Sequence, residues 1–181
     1  MAVLKVLIKV PEKNFSKKIF KLIKDTKILD LNSEYLYLLQ TTHFKNTCSV
    51  ATLEDEVVGF VSGYRHPEKP NTLFIWQVAV DERFRGQGLA NKLMFNILKR
   101  KENLDLNYIH TTVSPSNKAS IKAFEKFAIK LNTKMEEKDF FIKEDFINQH
   151  EEEVLYEIGP FKLKEKNENI WKFRIRSKRI Y

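Results

Sequence analysis

The segment WQVAVDERFRGQGLANKL, residues 76–93, constrains the fold more than any other stretch of the chain. It runs from an apolar, strand-like stretch through a turn with two glycines into a stretch with helical periodicity. A helix that begins at such a turn has backbone N–H groups without helical partners, and its dipole favours anions at that end. Glycine allows a ligand to approach the backbone closely and also permits positive φ angles. The segment therefore predicts a phosphate-binding turn between a strand and a helix.

The residues of this turn favour a short diphosphate over a larger nucleotide loop. Arg83 and Arg85 add positive charge beside Gly86, Gln87 and Gly88. The turn lacks the Gly-Lys-Ser/Thr ending of a Walker loop, and it lacks the spacing of a dinucleotide fingerprint. The diphosphate of coenzyme A fits a turn of this size. These residues alone leave one alternative open, an ordinary basic turn whose glycines serve only the backbone.

The rest of the chain predicts one mixed α/β domain, because strand-like and helix-like segments alternate without repeats or linkers. The predicted strands are residues 3–10, TCSVATLE, EVVGFVSGYRH, the central TLFIWQVAV, NYIHTTV and EEVLYEI. Helices are predicted at FSKKIFKLIKDT, at residues 88–101 and at residues 117–130. A further helix follows FSKKIFKLIKDT. It is capped by Asn32 or Ser33, and its predicted apolar face consists of Tyr35, Leu36, Leu38 and Leu39. The aromatic segment KDFFIKEDF is expected to be an irregular loop on the substrate side.

Composition and charge exclude several function classes. No apolar run is long enough to cross a bilayer, and the single cysteine, Cys48, excludes an internal disulfide, so we expect a cytoplasmic protein without a membrane partner. The net charge of +8 is concentrated in residues 161–181, which carry eight Lys and Arg residues against two Glu residues. The body of the chain is nearly balanced, which argues against nucleic-acid binding. The four histidines are scattered, and we predict no metal site.

The basic segment 161–181 has two interpretations. Residues 170–176, IWKFRIR, alternate apolar and basic residues, which indicates an added edge strand or a dimer contact. The alternative is an electrostatic patch for the 3′-phosphate of coenzyme A or for a polyanion.

The order of strand, glycine turn and helix, followed by a second anion-friendly helix start at SPSNKAS, resembles the acetyl-CoA-dependent N-acetyltransferases of the GNAT superfamily. The resemblance implies an α/β (α+β) fold with a mixed, mostly antiparallel central sheet flanked by helices. It implies acetyl-CoA as co-substrate and an acetyltransferase domain over residues 1–160, with 161–181 as a basic extension. Homodimers are usual in such families, and we expect one here by analogy.

The resemblance also implies roles for residues around the turn. Arg83, Gly86 and Gly88 match the superfamily's diphosphate loop, which binds through backbone amides. Val78 and Val80 lie on the strand whose backbone pairs with the pantetheine arm. A backbone N–H at the end of that strand is expected to polarise the thioester carbonyl.

The second helix start departs from the superfamily's pattern at one position. Asn117 matches the superfamily's asparagine near the pantetheine, and Ser120 is expected to assist it. Many members carry a tyrosine seven residues after that asparagine, where it protonates the leaving thiolate. This chain has Phe124 there, and we assign no general acid.

The acceptor is suggested by longer strings. DLNSEYLYLLQTTHF, SGYRHPEKPNTLFIWQVAV and HEEEVLY resemble the L-2,4-diaminobutyrate acetyltransferases of ectoine synthesis. That resemblance implies transfer of acetyl from acetyl-CoA to the γ-amine (N4) of L-2,4-diaminobutyrate. The alternatives are a GNAT enzyme for another small diamine or a peptide amine, and a non-catalytic acyl-CoA-binding module, which Phe124 favours.

Diaminobutyrate carries two ammonium groups and one carboxylate, so its pocket needs carboxylates and a proton acceptor. The acid/base residues in the matching strings are Asp30, His150 and Glu153. We expect Glu153 to drain the proton from the attacking amine and Asp30 to hold the second amine. Asp30 as a helix cap, and Glu153 as part of a solvated HEEE run, are the alternatives.

Two aromatic residues complete the predicted amine site. Tyr35 is expected either to donate its hydroxyl to the substrate or to be a core residue at helical spacing. Trp76 is either a core aromatic of the central strand or a cation–π partner of an ammonium group, and the resemblance favours the second role.

Overall fold

The computed structural model describes residues 5–147 and 150–163 of the chain. These residues form a seven-stranded sheet in the order β1-β2-β3-β4-β5-β7-β6. Only β4 and β5 pair in parallel, and the other neighbours are antiparallel. The strands are β1 Leu7–Lys9, β2 Ser49–Leu53, β3 Glu56–Arg65, β4 Thr72–Val80, β5 Tyr108–Val113, β6 Met135–Phe141 and β7 Glu153–Ile158. The predicted mixed, mostly antiparallel sheet with TLFIWQVAV as its central strand is confirmed.

Within the described residues, four α-helices flank the sheet, and they coincide with the predicted ones to within a few residues. They are α1 Ser16–Thr26, α2 Glu34–Gln40, α3 Leu89–Leu98 and α4 Lys118–Lys130. The apolar face predicted for α1 is buried, with Ile19 and Ile23 fully inaccessible. Ser33 caps α2, because its hydroxyl oxygen accepts a hydrogen bond from the Leu36 amide at 3.3 Å.

The apolar face predicted for α2 is wrong. Tyr37 and Gln40 are its buried residues, whereas the Tyr35 side chain is 68% exposed. Tyr37 and Gln40 are three residues apart and share one helix face. The ring of Tyr37 packs edge-on against Phe20 of α1, with 5.9 Å between ring centroids. The exposure of Tyr35 excludes the alternative that it is a core residue.

The prediction of an irregular loop over KDFFIKEDF is also wrong. Its first residues belong to β6, which pairs antiparallel with β7, and a 3₁₀ turn at Lys143–Asp145 follows. The strand sequence MEEKDFF shows no apolar alternation, and almost all of its residues are exposed. Pairing with β7 rather than burial therefore makes this segment a strand, which is why periodicity failed to predict it.

The sheet separates two apolar cores, and a bulge in β4 lets this strand contribute side chains to both of them. Ser62 of β3 pairs with Gln77 and Gly63 pairs with Ile75, so Trp76 is an extra residue in β4. Before the bulge, Ile75 packs into the core beneath α3 and α4. After it, Ala79 packs into the core beneath α1 and α2. The bulge thus changes which face of the sheet successive side chains occupy.

Strands β4 and β5 separate directly at this bulge. Their parallel pairing runs from Thr72 to Ile75, where Ile75 lies opposite Thr111. β5 continues to Val113 along β7, while β4 continues to Val80 along β3. In the part of the chain that the structure describes, no pairing between β4 and β5 follows Ile75, so residues 77–80 of β4 have no strand partner on that side, and this stretch is the free edge of β4. One of its backbone groups, the Val80 carbonyl oxygen, accepts a hydrogen bond from Arg85 Nε at 3.1 Å.

Two predictions concern the C-terminal part of the chain. Residues 1–4 and the basic segment from residue 164 onward lie outside the described residues. The added strand or patch predicted at 170–176 and the domain boundary at residue 160 therefore stay predictions. No helix among residues 5–147 and 150–163 has the length and apolarity that crossing a membrane requires.

Candidate active site

The glycine turn directly precedes α3, whose first backbone N–H groups have no acceptor within the helix. Gly86 and Gly88 adopt φ angles of +74° and +73°, a conformation that disfavours residues with a Cβ. A Cβ at either glycine would meet no heavy atom within 4 Å, so the surrounding space is open. Gly88 is the N-cap of α3 and supplies no side-chain cap. The Lys92 amide donates to the Gly88 carbonyl oxygen, and the N–H groups before it have no helical acceptor.

A cleft of about 380 Å³ lies where this turn meets the free edge of β4 and the start of α4. Most of the predicted cofactor residues line this cleft, although they come from separate parts of the sequence. They are Val78, Val80, Arg85, Gly86, Gly88, Asn117 and Ser120.

Arg83 braces the turn from outside this cleft. Its Nη2 lies 2.8 Å from Asp81 Oδ2 and 2.7 Å from Glu56 Oε1. The guanidinium, by donating hydrogen bonds, lowers the pKa of the Asp81 carboxyl below its ordinary value. Because two carboxylates already balance its charge, direct phosphate contact by Arg83 stays a prediction. The Gln87 side chain also stabilises the turn itself, since its Nε2 donates to the Arg83 carbonyl oxygen at 3.0 Å.

The start of α4 differs from that of α3 because a side chain caps it. Asn117 Oδ1 accepts a hydrogen bond from the Ser120 amide at 3.1 Å. The loop before it is tied to the chain near β7, since the Ser116 amide donates to Glu151 Oε1 at 2.9 Å. Phe124 is 3% exposed and belongs to the core, so it leaves the cleft without a hydroxyl from that position.

Two of the predicted amine-site residues, Trp76 and Glu153, belong to strands that border the point where β4 and β5 separate. Trp76 is the bulge residue and is 46% exposed. Glu153 begins β7, one position before Val154, which pairs with Val113 at the end of β5. Asp30, on the segment between α1 and α2, is exposed, as is Tyr35 in the first turn of α2. These residues come from three segments far apart in sequence.

The predicted amine site is not a single enclosed pocket. Trp76 lines a second cavity of about 540 Å³, together with Leu36, Gln40, Phe44 and Tyr64. Neither Asp30 nor Glu153 is among the residues that line that cavity or the cleft at the glycine turn. The core alternative for Trp76 is excluded by its exposure.

Glu153 and His150 both have fixed environments. The Ser114 hydroxyl donates to Glu153 Oε1 at 2.7 Å, so the second carboxylate oxygen remains for another partner. The His150 ring stacks on Phe146 with 4.5 Å between ring centroids. Its Nδ1 donates to the Glu151 carbonyl oxygen at 2.5 Å. Glu153 is therefore oriented by Ser114, the residue that directly follows β5, and is not part of a freely solvated run.

Comparison with known proteins agrees with this geometry. Residues 16–129 match the model of the Acetyltransferase (GNAT) family. The L-2,4-diaminobutyric acid acetyltransferase of Methylotuvimicrobium alcaliphilum is 48% identical over 153 residues, which are 84% of this chain and 89% of that protein. The chain belongs to this acetyltransferase family. The enzyme of the same name from Virgibacillus pantothenticus is 45% identical over 84% of this chain and 97% of its own length.

A solved structure extends the match to three dimensions. Diaminobutyrate acetyltransferase EctA from Paenibacillus lautus, in complex with L-2,4-diaminobutyric acid and coenzyme A, superposes with a TM-score of 0.85. It is 38% identical, and the match covers 90% of this chain and 99% of that one. The predicted GNAT fold and the predicted diaminobutyrate acetyltransferase family are thus confirmed.

Sequence reasoning about this diaminobutyrate acetyltransferase family member missed several residues that shape the site. Ser114 orients Glu153, and Gln77, the residue after Trp76, forms a buried polar contact with Tyr37. The available signal was Gln77 itself, a polar residue inside the most apolar run of the chain.

Two further features of the described residues concern metal ligands and the single thiol. Within residues 5–147 and 150–163, no group of three or more His, Cys, Asp or Glu residues could hold a metal ion. Cys48 is buried against the Gly63 carbonyl, and burial raises the pKa of its thiol to about 12. A protonated, inaccessible thiol is a poor nucleophile, so the position of Cys48 is that of a structural residue.

Proposed function

We propose that this protein transfers the acetyl group of acetyl-CoA to the γ-amine of L-2,4-diaminobutyrate, giving N4-acetyl-L-2,4-diaminobutyrate. The observation that carries the proposal is the cleft between the free edge of β4 and the uncapped start of α3. Membership of the diaminobutyrate acetyltransferase family supports the choice of acceptor. The acetylated product is the intermediate from which ectoine is made in that family's pathway.

The donor is held mainly by backbone atoms. The amides from Gly86 to the first turn of α3 point to where the diphosphate would lie, and Arg85 adds a charge at the same cleft. The free edge of β4 at Val78 and Val80 offers backbone groups to the amides of the pantetheine arm, apart from the Val80 carbonyl oxygen, which accepts from Arg85 Nε. A strand N–H beside the thioester would stabilise the oxyanion that forms on its carbonyl oxygen.

The acceptor must lose a proton before it attacks. A free alkyl amine has a reference pKa of about 10.4 and is protonated at neutral pH. Glu153, with one oxygen held by Ser114, presents its other oxygen to the amine or to a bridging water. The amine nitrogen then bonds to the thioester carbon, and the carbon–sulfur bond breaks as the coenzyme A thiolate leaves. The second proton of the nitrogen passes to the thiolate or to water, which gives the neutral amide.

The second ammonium group distinguishes a diamine from a simple amine. The gap between β4 and β5 beyond Ile75 is the opening through which the acceptor would reach the thioester. On its α2 side, Asp30 supplies a carboxylate and Trp76 supplies an exposed indole face. Tyr35 and His150 are further hydrogen-bonding groups around that opening. In this proposal these residues hold the α-amino end so that the γ-amine reaches the thioester.

The direct test is turnover of acetyl-CoA with a panel of acceptors. The purified chain is assayed with diaminobutyrate, ornithine, lysine and an amine-terminated peptide, and NMR identifies the acetylated nitrogen. We expect diaminobutyrate to react best and to be acetylated on N4. Absence of turnover with diaminobutyrate, or preferential reaction of the peptide, would overturn the proposal.

We also propose that the enzyme acts as a homodimer. Support comes from β6 and the turn after it, where Phe140, Phe141 and Ile142 are each 44–52% exposed at the edge of the sheet. Such an edge is normally covered or paired. Light scattering coupled to size exclusion measures the mass, and a monomeric mass would contradict the proposal.

A further inference from the structure

We propose that Gln77 is a positioning residue for the acceptor, and that its buried amide holds the Asp30 segment against β4. The inference rests on the proposed function, because it assigns Asp30 and Trp76 to the acceptor site. Gln77 itself touches neither substrate in this proposal, and it acts through the backbone of residues 27–33.

The amide of Gln77 joins three elements. Its Nε2 donates to the Asp30 carbonyl oxygen at 2.8 Å, and its Oε1 accepts from the Tyr37 hydroxyl at 3.4 Å. The same hydroxyl oxygen accepts a hydrogen bond from the Asn32 amide at 3.3 Å. The Asp30 carbonyl and the Asn32 amide, one on each side of Leu31, are therefore both held by buried side chains.

The β4 bulge aims this side chain toward α2. Trp76 is the extra residue of the bulge, and the next residue, Gln77, is directed away from the α3 and α4 core. The Ser62 hydroxyl accepts a hydrogen bond from the Gln77 backbone amide at 3.1 Å. Gln77 is 4% exposed and Tyr37 is fully buried. A buried amide is costly to leave unpaired, so the contact strongly favours one position of the segment.

This contact couples the two predicted ammonium ligands. Asp30 is held through its own carbonyl oxygen, and Trp76 is the chain neighbour of Gln77. The distance between the Asp30 carboxylate and the Trp76 ring therefore depends on one buried amide. The diphosphate turn is not part of this contact, so the coenzyme site should not depend on it.

Three substitutions test this coupling. Gln77→Met keeps the side-chain length but removes both polar groups. Gln77→Glu keeps an acceptor for Tyr37 but, when ionised, cannot donate to Asp30, and Tyr37→Phe removes the hydroxyl alone. We expect each variant to raise KM for diaminobutyrate by about 10-fold, the equivalent of one hydrogen bond. KM for acetyl-CoA should change less than twofold, and the fraction of product acetylated on the α-amine should rise.

Ser49→Ala is the control for a generic loss of a buried polar group away from the acceptor site. Ser49 of β2 is fully buried, and its hydroxyl donates to Asn96 Oδ1 at 3.0 Å. Its loss should lower the melting temperature without changing the ratio of the two KM values. If the Gln77 variants lower the melting temperature and leave that ratio unchanged, Gln77 is structural only and the proposal fails.

Hydrogen exchange tests the contact without relying on activity. Because the Asn32 amide donates to Tyr37, it should exchange at least about 10-fold faster in Gln77→Met and Tyr37→Phe than in the wild type. Unchanged exchange at residues 30–33 would overturn the inference even if the enzyme acetylates diaminobutyrate. A wild type that does not turn over diaminobutyrate overturns the proposed function and the acceptor role, while the exchange data still decide whether the contact exists.

Discussion

The coenzyme half and the acceptor half of this site are built differently. The proposed coenzyme half relies mainly on backbone groups, those of the turn from Arg85 through Gly88 into α3 and those of the free edge of β4. The proposed acceptor half relies on side chains from residues 30–37, from the β4 bulge and from the start of β7. A backbone site tolerates most side-chain changes outside its glycines, whereas a side-chain site depends on each group and on what orients it. The two halves should therefore respond separately to substitution.

The largest separation is expected at Glu153. Glu153→Gln removes the proposed proton acceptor and should lower kcat by about 10²-fold or more. Acetyl-CoA binding, measured by calorimetry, should stay unchanged, because Glu153 is not among the residues that line the coenzyme cleft. Glu152→Gln, at an exposed neighbour, is the control. An unchanged rate and pH profile in Glu153→Gln would eliminate it as the base.

The opposite separation is expected at Gly86. Gly86→Ala forces a residue with a Cβ into the left-handed region at φ +74°, although the Cβ itself meets nothing within 4 Å. A shift of the turn should raise KM for acetyl-CoA by about 10-fold, because the strain is of order 1–2 kcal/mol. KM for diaminobutyrate should remain at its wild-type value.

Gly59→Ala is the control for a glycine that serves packing instead. A Cβ there would lie 3.0 Å from Leu93 and 3.2 Å from Leu89, so α3 would be pushed from β3. This variant should lose thermal stability more than Gly86→Ala does. Equal KM values for acetyl-CoA in wild type and Gly86→Ala would contradict a diphosphate role for the turn.

A smaller, selective effect is expected at Asp30. Asp30→Asn keeps the size and the backbone contact with Gln77 but removes the charge. KM for diaminobutyrate should rise by several-fold to about 10-fold with kcat nearly retained, since uniform binding is lost. Asp25→Asn, on α1, is a control for charge alone. If Asp30→Asn leaves both KM and the site of acetylation unchanged, Asp30 belongs to neither half.

The smallest effect concerns stability at low pH. Arg83 lowers the pKa of Asp81 in the folded state, so this pair contributes stability above the unfolded carboxyl's pKa of about 3.9. That contribution is lost as pH falls through the lower, folded-state pKa. Arg83→Met should therefore reduce the difference in unfolding free energy between about pH 6 and pH 3, measured in urea. An unchanged difference would show that the bracing contact does not contribute.

Much of the fold followed from residue patterns. The helices over residues 16–26 and 118–130, and the hairpin of β2 and β3, have the periodicity and turn residues of their class. The pattern failed at Tyr35, because a helix of seven residues has too few turns to define its buried face. It failed again at β6, whose exposed residues carry no alternation and whose strand structure comes from pairing with β7.

The amino-acid sequence by itself determined the glycine turn before α3 and its two glycines with positive φ, because consecutive residues and their φ preferences are sufficient to build it. It also determined the family, through strings that surround that turn. Only the tertiary structure decided that Trp76 is exposed, that Ser114 orients Glu153 and that Gln77 holds the Asp30 segment. Those relations depend on a one-residue bulge and on where two parallel strands stop pairing, and both are properties of strands that are distant in sequence.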